Sequence, residues 1–99
     1  MFNKLKQIKE LSQKANQLKK LLADEKVEAT TDWGKIKIIM NGNMQIVSLD
    51  IDPELLSPDK KTKLQEGLQS ALNDVLKKAG ELAAKKMQSL GGLDMSMFQ

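Results

Sequence analysis

The spacing of apolar residues changes twice along this chain of 99 residues, and these changes divide it into three segments. In residues 3–23 apolar side chains recur every three or four positions, the period of an amphipathic α-helix. Between residues 26 and 52 they alternate, which is the period of a half-buried strand. From residue 57 to residue 90 the helical period returns. The pattern predicts a single domain with a helix on each side of a β segment.

The first predicted helix carries an unusually narrow apolar stripe. Leu5 begins the stripe, and the remaining members follow at alternating spacings of three and four: Ile8, Leu11, Ala15, Leu18 and Leu22. A stripe of this width resembles the seam of a coiled coil. It predicts contact with one or two other helices rather than burial in a large core.

The middle segment predicts a β-hairpin. In its first strand Ile36, Ile38 and Met40 share one face. Asn41-Gly42 then predicts a tight turn, because both residue types tolerate positive φ. The return strand, residues 44–51, alternates again, and we expect its core face to hold Val47, Leu49 and Ile51.

The remaining elements follow from local signals. Residues 27–31 predict a third, shorter strand, turned by Asp32-Trp33-Gly34. Ser57-Pro58-Asp59 has the order of an N-cap, a first helical proline and an acid in the first turn, and we expect a helix from there to Leu90. Gly91-Gly92 predicts its end. The expected fold is α+β, in the order α-β-β-β-α, with a three-stranded antiparallel sheet flanked by two helices; residues 1–93 form the domain and residues 94–99 a flexible tail.

The composition argues against an enzyme. The chain has no Cys, His or Tyr, so the commonest general base and the thiolate and imidazole metal ligands are absent. Asp50, Asp52 and Glu54 alternate along one stretch, but we interpret them as the polar face of a sheet edge rather than as a magnesium or acid–base site. We therefore expect no catalytic residue, no metal and no cofactor. The lysine-rich N-terminus has no apolar signal region, and no apolar run reaches about 20 residues, so we expect a cytoplasmic protein without a membrane association.

The net charge of +3 is unevenly distributed. Residues 1–23 hold six lysines and one glutamate, and residues 57–90 hold seven lysines and four acids, whereas the segment between them is acidic. A polyanion would therefore meet the terminal segments rather than the middle.

Several strings of residues resemble the YbaB/EbfC family of nucleoid-associated proteins. The stretch Val47-Ser48-Leu49-Asp50-Ile51-Asp52-Pro53-Glu54-Leu55-Leu56 is the most specific. Ala71-Leu72-Asn73-Asp74-Val75-Leu76-Lys77-Lys78-Ala79 is nearly as specific, and it is followed by Lys86-Met87 and Gly91-Gly92-Leu93. Weaker matches are the N-terminal Met-Phe with its Lys/Gln-rich helix, the stretch from Val27 to Ile38, and the turn Asn41-Gly42-Asn43.

The resemblance covers residues 2–93 and implies a bacterial homodimer that binds DNA in the cytoplasm and nucleoid. It also implies helices that project from a joined β core in a tweezers-like shape. The sequence departs from the family at its first β-turn, where Thr30-Thr31-Asp32-Trp33-Gly34 replaces a glycine-rich stretch.

Lysines of the two helices are the candidate DNA contacts. The first helix supplies Lys4, Lys6, Lys9, Lys14, Lys19 and Lys20, and the second supplies Lys77, Lys78, Lys85 and Lys86. Such contacts release counterions from phosphates and give salt-sensitive affinity. The chain has no Arg, so we expect little sequence discrimination, and its three scattered aromatic residues predict poor stacking on single strands.

Other interpretations remain open at this point. Without the resemblance, the lysines would be more typical of a solvated helix face, and RNA would satisfy the same charges. A dimeric module that binds recombination or replication proteins is the main alternative function. Trp33 either covers an apolar patch at a dimer interface or is simply part-exposed.

Overall fold

The computed structural model describes residues 2–31 and 33–90, with side chains from Lys4 to Ser89 apart from Asp32. Helix α1 spans Phe2–Asp24 and is followed by three strands, β1 (Lys26–Thr30), β2 (Ile36–Asn41) and β3 (Ile46–Ile51). Two short 3-10 turns, Pro53–Leu56 and Pro58–Lys60, lead into helix α2, which spans Lys61–Leu90. The α-β-β-β-α order and the α+β class are confirmed. The predicted tail, residues 94–99, lies outside the described residues.

The three strands form one antiparallel sheet in the order β1-β2-β3. Val27 lies opposite Met40 in the β1–β2 pair, and Ile38 lies opposite Leu49 in the β2–β3 pair. The β2–β3 register shifts between Ile39 and Met40, so β3 carries one extra residue there. This irregularity is a β-bulge, a feature common at sheet edges.

The core lies between the sheet and α2. Ile36, Ile38 and Met40 are buried on one face of β2, as the alternation predicts. The side chains that α2 buries against that face are mostly small, and they recur four residues apart: Ala71, Val75 and Ala79. Small residues let the helix lie close to the strands, and a core with this composition needs no aromatic residue.

Strand β3 departs from the expectation drawn from its alternation. Ile51 is packed against the core, but Val47 and Leu49 are 49% and 50% exposed. Leu49 shares the face of Ile38, but α2 lies over β1 and β2 and leaves β3 uncovered as an edge strand. The bulge adds Val47 beyond the one-to-one pairing. The prediction that Val47 and Leu49 lie in the core is therefore wrong for the single chain.

The hairpin turn is present, but its strained residue is not the predicted one. Positive φ occurs at Met44, at 63°, and neither Asn41 nor Gly42 adopts it. Asn41 instead organises the turn with its side chain, whose Oδ1 accepts hydrogen bonds from the backbone N–H groups of Asn43 and Gln45, at 2.9 and 3.1 Å.

Gly42 is required by the approach of α1. A Cβ at this position would lie 2.8 Å from Cδ2 and 2.9 Å from the carbonyl oxygen of Leu22. The Gly42 N–H donates to that same carbonyl oxygen at 2.9 Å. The Nδ2 group of Asn43 donates to the carbonyl oxygen of Lys19 at 2.9 Å. The C-terminal end of α1 is thus attached to the β2–β3 turn, and α1 meets the sheet at its end rather than covering a face.

The start of α2 is also more gradual than predicted. Ser57 occupies an N-cap position with extended backbone, but it caps the second 3-10 turn and makes no side-chain hydrogen bond to the backbone there. The continuous α-helix begins at Lys61.

Within the described residues, no helix is long and apolar enough to span a membrane.

Candidate nucleic-acid interface

The lysines of α1 lie along a largely exposed helix. Lys4, Lys6, Lys9, Lys19 and Lys20 are all exposed, and none of them pairs with an acid among the residues that the structure describes. Lys14 is half-buried and takes part in an interaction of its own. From Lys4 to Lys20 the helix extends about 24 Å at 1.5 Å per residue. The surface is therefore an elongated row of ammonium groups.

The candidate lysines of α2 fall into two groups. Lys78 is engaged with the sheet: its Nζ donates to the carbonyl oxygen of Glu28 at 2.8 Å and lies 3.3 Å from Asp74. Lys86 is half-buried and lies 2.8 Å from the carboxylate of Glu25, at the junction of α1 and β1.

Lys77 and Lys85 are exposed, as Lys78 is, but they have no ion pair within the described part of the chain. The structure thus separates the four α2 lysines into two that pair with acids of the same chain and, among the described residues, two that do not. Residue spacing alone gave no such separation.

The acidic residues after β3 are occupied by local contacts. Oδ1 of Asp52 accepts a hydrogen bond from the N–H of Glu54 at 2.9 Å, which caps the first 3-10 turn. Glu54 forms an ion pair with Lys35. The hydrogen bond from Lys35 to Glu54, opposed in part by desolvation, raises the pKa of Lys35. Asp50 lies opposite Lys37 across the β2–β3 pair. No group of three or more acidic residues able to hold a metal ion occurs among the described residues.

Trp33 lies at the turn between β1 and β2 and is 49% exposed. A Cβ at Gly67 would lie 3.7 Å from its ring atom Cζ3 and 2.7 Å from Cδ1 of Ile36. Gly67 of α2 therefore leaves room for these two side chains against the helix. The exposed part of the Trp33 ring borders a hollow that also involves Lys35, Lys60 and Lys63. Sequence spacing did not single out Lys60 or Lys63, because they border the same hollow as Trp33 only in the folded chain.

An antiparallel sheet backed by one helix and extended by a second, lysine-rich helix defines a small α+β protein with a basic, solvent-facing arm. The chain belongs to the YbaB/EbfC DNA-binding family, whose model matches residues 1–94. A protein of Pelotomaculum thermopropionicum named nucleoid-associated protein is 35% identical over 92 residues, covering 93% of this chain and 88% of the relative. A protein of the same name from Dictyoglomus thermophilum is 39% identical over 89 residues, covering 90% of this chain and 86% of the relative.

The fold is also similar to a solved structure. The crystal structure of an uncharacterised Helicobacter pylori protein superposes with a TM-score of 0.66 at 28% identity, covering 79% of this chain and 90% of that chain. The family is one of DNA-binding proteins rather than enzymes, and it favours DNA binding over the protein-interaction alternative.

Proposed function

We propose that this chain is a nucleoid-associated protein that binds duplex DNA with little sequence preference, through the lysines of α1 in a homodimer. The observation that carries the proposal is the row of exposed α1 lysines without acidic partners among the described residues. When an unpaired ammonium group binds a phosphate, the counterions released from the DNA contribute fully to the affinity. A lysine that is already paired must first break its ion pair with the acidic side chain. Family membership and the names of the relatives support the same function. In this function the protein acts in the bacterial cytoplasm, at the nucleoid.

The exposed apolar surface of β3 supports the homodimer. Ile46, Val47 and Leu49 are each about half exposed, and they lie on an edge strand whose outer backbone groups lack a partner strand within the described residues. Such an edge pairs readily with another chain unless it is protected by charge or by a covering element. A second copy would cover these side chains and hold two α1 helices in one particle. Two arms on one particle gain affinity through multivalency.

The lack of arginine supports weak sequence discrimination, because lysine is a point charge that does not provide the bidentate fork that reads guanine. Lys77 and Lys85 are the α2 lysines available for further phosphate contacts. Lys78 and Lys86 contribute mainly through the contacts that hold α2 against β1 and the α1–β1 junction.

The experiment that tests the proposal is a titration of labelled duplex DNA with the full chain at about 50 and 200 mM salt, alongside light scattering. We expect a particle of twice the 11.0 kDa chain mass. Between the two salt concentrations we expect the affinity to fall by a factor near 10³ if about six phosphates are engaged. Duplexes of unrelated sequence should bind alike.

A matched pair of variants locates the contacts. Lys6→Glu with Lys9→Glu should greatly weaken DNA binding while the scattering mass stays unchanged. Lys26→Glu with Lys61→Glu makes the same charge change at exposed positions outside α1 and should have a much smaller effect. Equal losses in the two double variants would contradict an α1 interface, and a wild-type protein that ignores duplex DNA at low salt would contradict DNA binding itself.

A further inference from the structure

A hollow of about 180 Å³ lies at the end of the sheet remote from α1. Trp33 and Leu55 form its apolar walls, and the charged side chains around it are Lys35, Glu54, Lys60 and Lys63. The hollow and α1 adjoin opposite ends of β2, because Lys35 precedes this strand and the Gly42 that contacts Leu22 follows it. The two surfaces are therefore separate, and the proposed α1 interface does not account for this one.

Lysines outnumber acids among the described residues that line the hollow, and the charge of Asp52 also acts on Lys35 from nearby. Glu54 is the only acid among the described residues that line it, and Lys35 pairs with Glu54. Lys60 and Lys63 then remain without an ion-pair partner among the described residues. Asp59, the nearest acid in sequence, has its pKa lowered mainly by a hydrogen bond from Ser57 and only slightly by the charge of Lys60. Two lysines that line the hollow can therefore meet an incoming anion without first leaving an ion pair.

The second observation is the aromatic wall. Trp33 is the only tryptophan of the chain, and it is half exposed at the hollow although one side of it approaches α2 at Gly67. A planar apolar surface beside two cations fits a ligand that combines a flat ring with a phosphate. Base–aromatic stacking beside a basic groove is a common means of holding single-stranded nucleic acid without regard to sequence.

We propose that this hollow binds a nucleobase together with its phosphate, with the base against Trp33 and the phosphate between Lys60 and Lys63. The volume suits one base rather than several, so the site holds one nucleotide, as a single strand or a frayed duplex end presents it. This adds a second, single-strand-directed contact to the proposed duplex binding. One well-placed aromatic residue suffices for it, although the scattered aromatic residues of the sequence predicted poor stacking.

Trp33 is itself the reporter for the test. The full chain is titrated with oligothymidylate and, separately, with thymidine monophosphate, while indole fluorescence is recorded. We expect saturable quenching by the oligonucleotide, with a salt slope near −1.4 for two phosphate contacts on a single strand. Quenching by the mononucleotide as well would assign the hollow to free nucleotides in addition to strands. The absence of quenching by either ligand would overturn the proposal.

Variants separate the hollow from the α1 surface. Lys60→Gln with Lys63→Gln should abolish most of the quenching, whereas Lys26→Gln with Lys61→Gln removes the same charge outside the hollow and should preserve it. Trp33→Ala should weaken binding of a labelled oligonucleotide by about tenfold to hundredfold, and Trp33→Phe should recover part of the loss.

Lys6→Glu with Lys9→Glu should leave the fluorescence change in place even where duplex binding is lost. Unchanged oligonucleotide affinity in both Trp33→Ala and the Lys60/Lys63 variant would refute the site, with circular dichroism confirming that each variant is folded.

Discussion

Helices α1 and α2 are both amphipathic and both rich in lysine, but they are used in opposite ways. Helix α2 packs along β1 and β2, buries Ala71, Val75 and Ala79, and ties down two of its lysines through Glu28, Asp74 and Glu25. Helix α1 buries Leu22 near its C-terminal end, and the apolar residues of its N-terminal half remain exposed.

Lysine content alone therefore does not identify a DNA-binding surface. What matters is whether each ammonium group already has a partner in the folded chain. Most lysines of α1, which is held at one end, have no acidic partner among the described residues, whereas two lysines of α2, which is packed along its length, pair with acids of the same chain.

The largest expected effect comes from the same substitution made in the two regions. Ile38 is 0% exposed beneath α2, and Ile8 is 64% exposed on α1. Ile38→Ala should lower the free energy of unfolding by about 2–5 kcal/mol, because it leaves a cavity in the core. Ile8→Ala should change it little within a single chain. Urea denaturation measures both, and a large loss in Ile8→Ala would show that the α1 stripe is covered in the assembled protein.

The attachment of α1 is tested at Gly42. Gly42→Ala places a methyl group against Leu22 and its carbonyl oxygen, and it should destabilise the protein by about 1–3 kcal/mol through overpacking. The matched change is Gly34→Ala, which meets no atom within 4 Å but must adopt a φ of +68°. Strain alone should cost it about 1–2 kcal/mol. Hydrogen exchange in α1 should increase in Gly42→Ala only; an increase in both variants would mean that the attachment does not depend on this contact.

The smallest effect concerns single lysines. Lys9→Gln should reduce the slope of log affinity against log salt for duplex DNA by about 0.9, the value for one lost phosphate contact. Lys78→Gln should leave that slope nearly unchanged, because the ammonium group of Lys78 already lies against Asp74 and the Glu28 carbonyl oxygen. Equal reductions in the two variants would remove the distinction between the helices. A slope that neither variant changes would place the DNA contacts elsewhere.

Periodicity and local signals were sufficient for the order of elements, since each depends on neighbouring residues. The 3.6-residue pattern predicted α1 as residues 3–23 and the structure has Phe2–Asp24; the alternation on β2 correctly placed Ile36, Ile38 and Met40 in the core. The same alternation on β3 failed for Leu49, because burial depends on what lies above the sheet, and α2 does not extend over the third strand. The Asn-Gly signal located the turn but not the residue with positive φ, which is Met44.

For the candidate site, too, the sequence alone predicted some features and the tertiary structure was needed for the others. The excess of lysine in residues 1–23, the lack of arginine and the lack of Cys, His and Tyr are properties of the chain alone, and they already pointed to charge-driven binding rather than catalysis. The pairing of Lys86 with Glu25, and the placement of Trp33, Lys60 and Lys63 around one hollow, bring together residues about 30 to 60 positions apart. Such contacts form only when α2 folds back across β1 and β2, because local spacing holds no information about which distant charges will meet. Tertiary packing therefore decided which lysines remain available to a nucleic acid and which stabilise the fold.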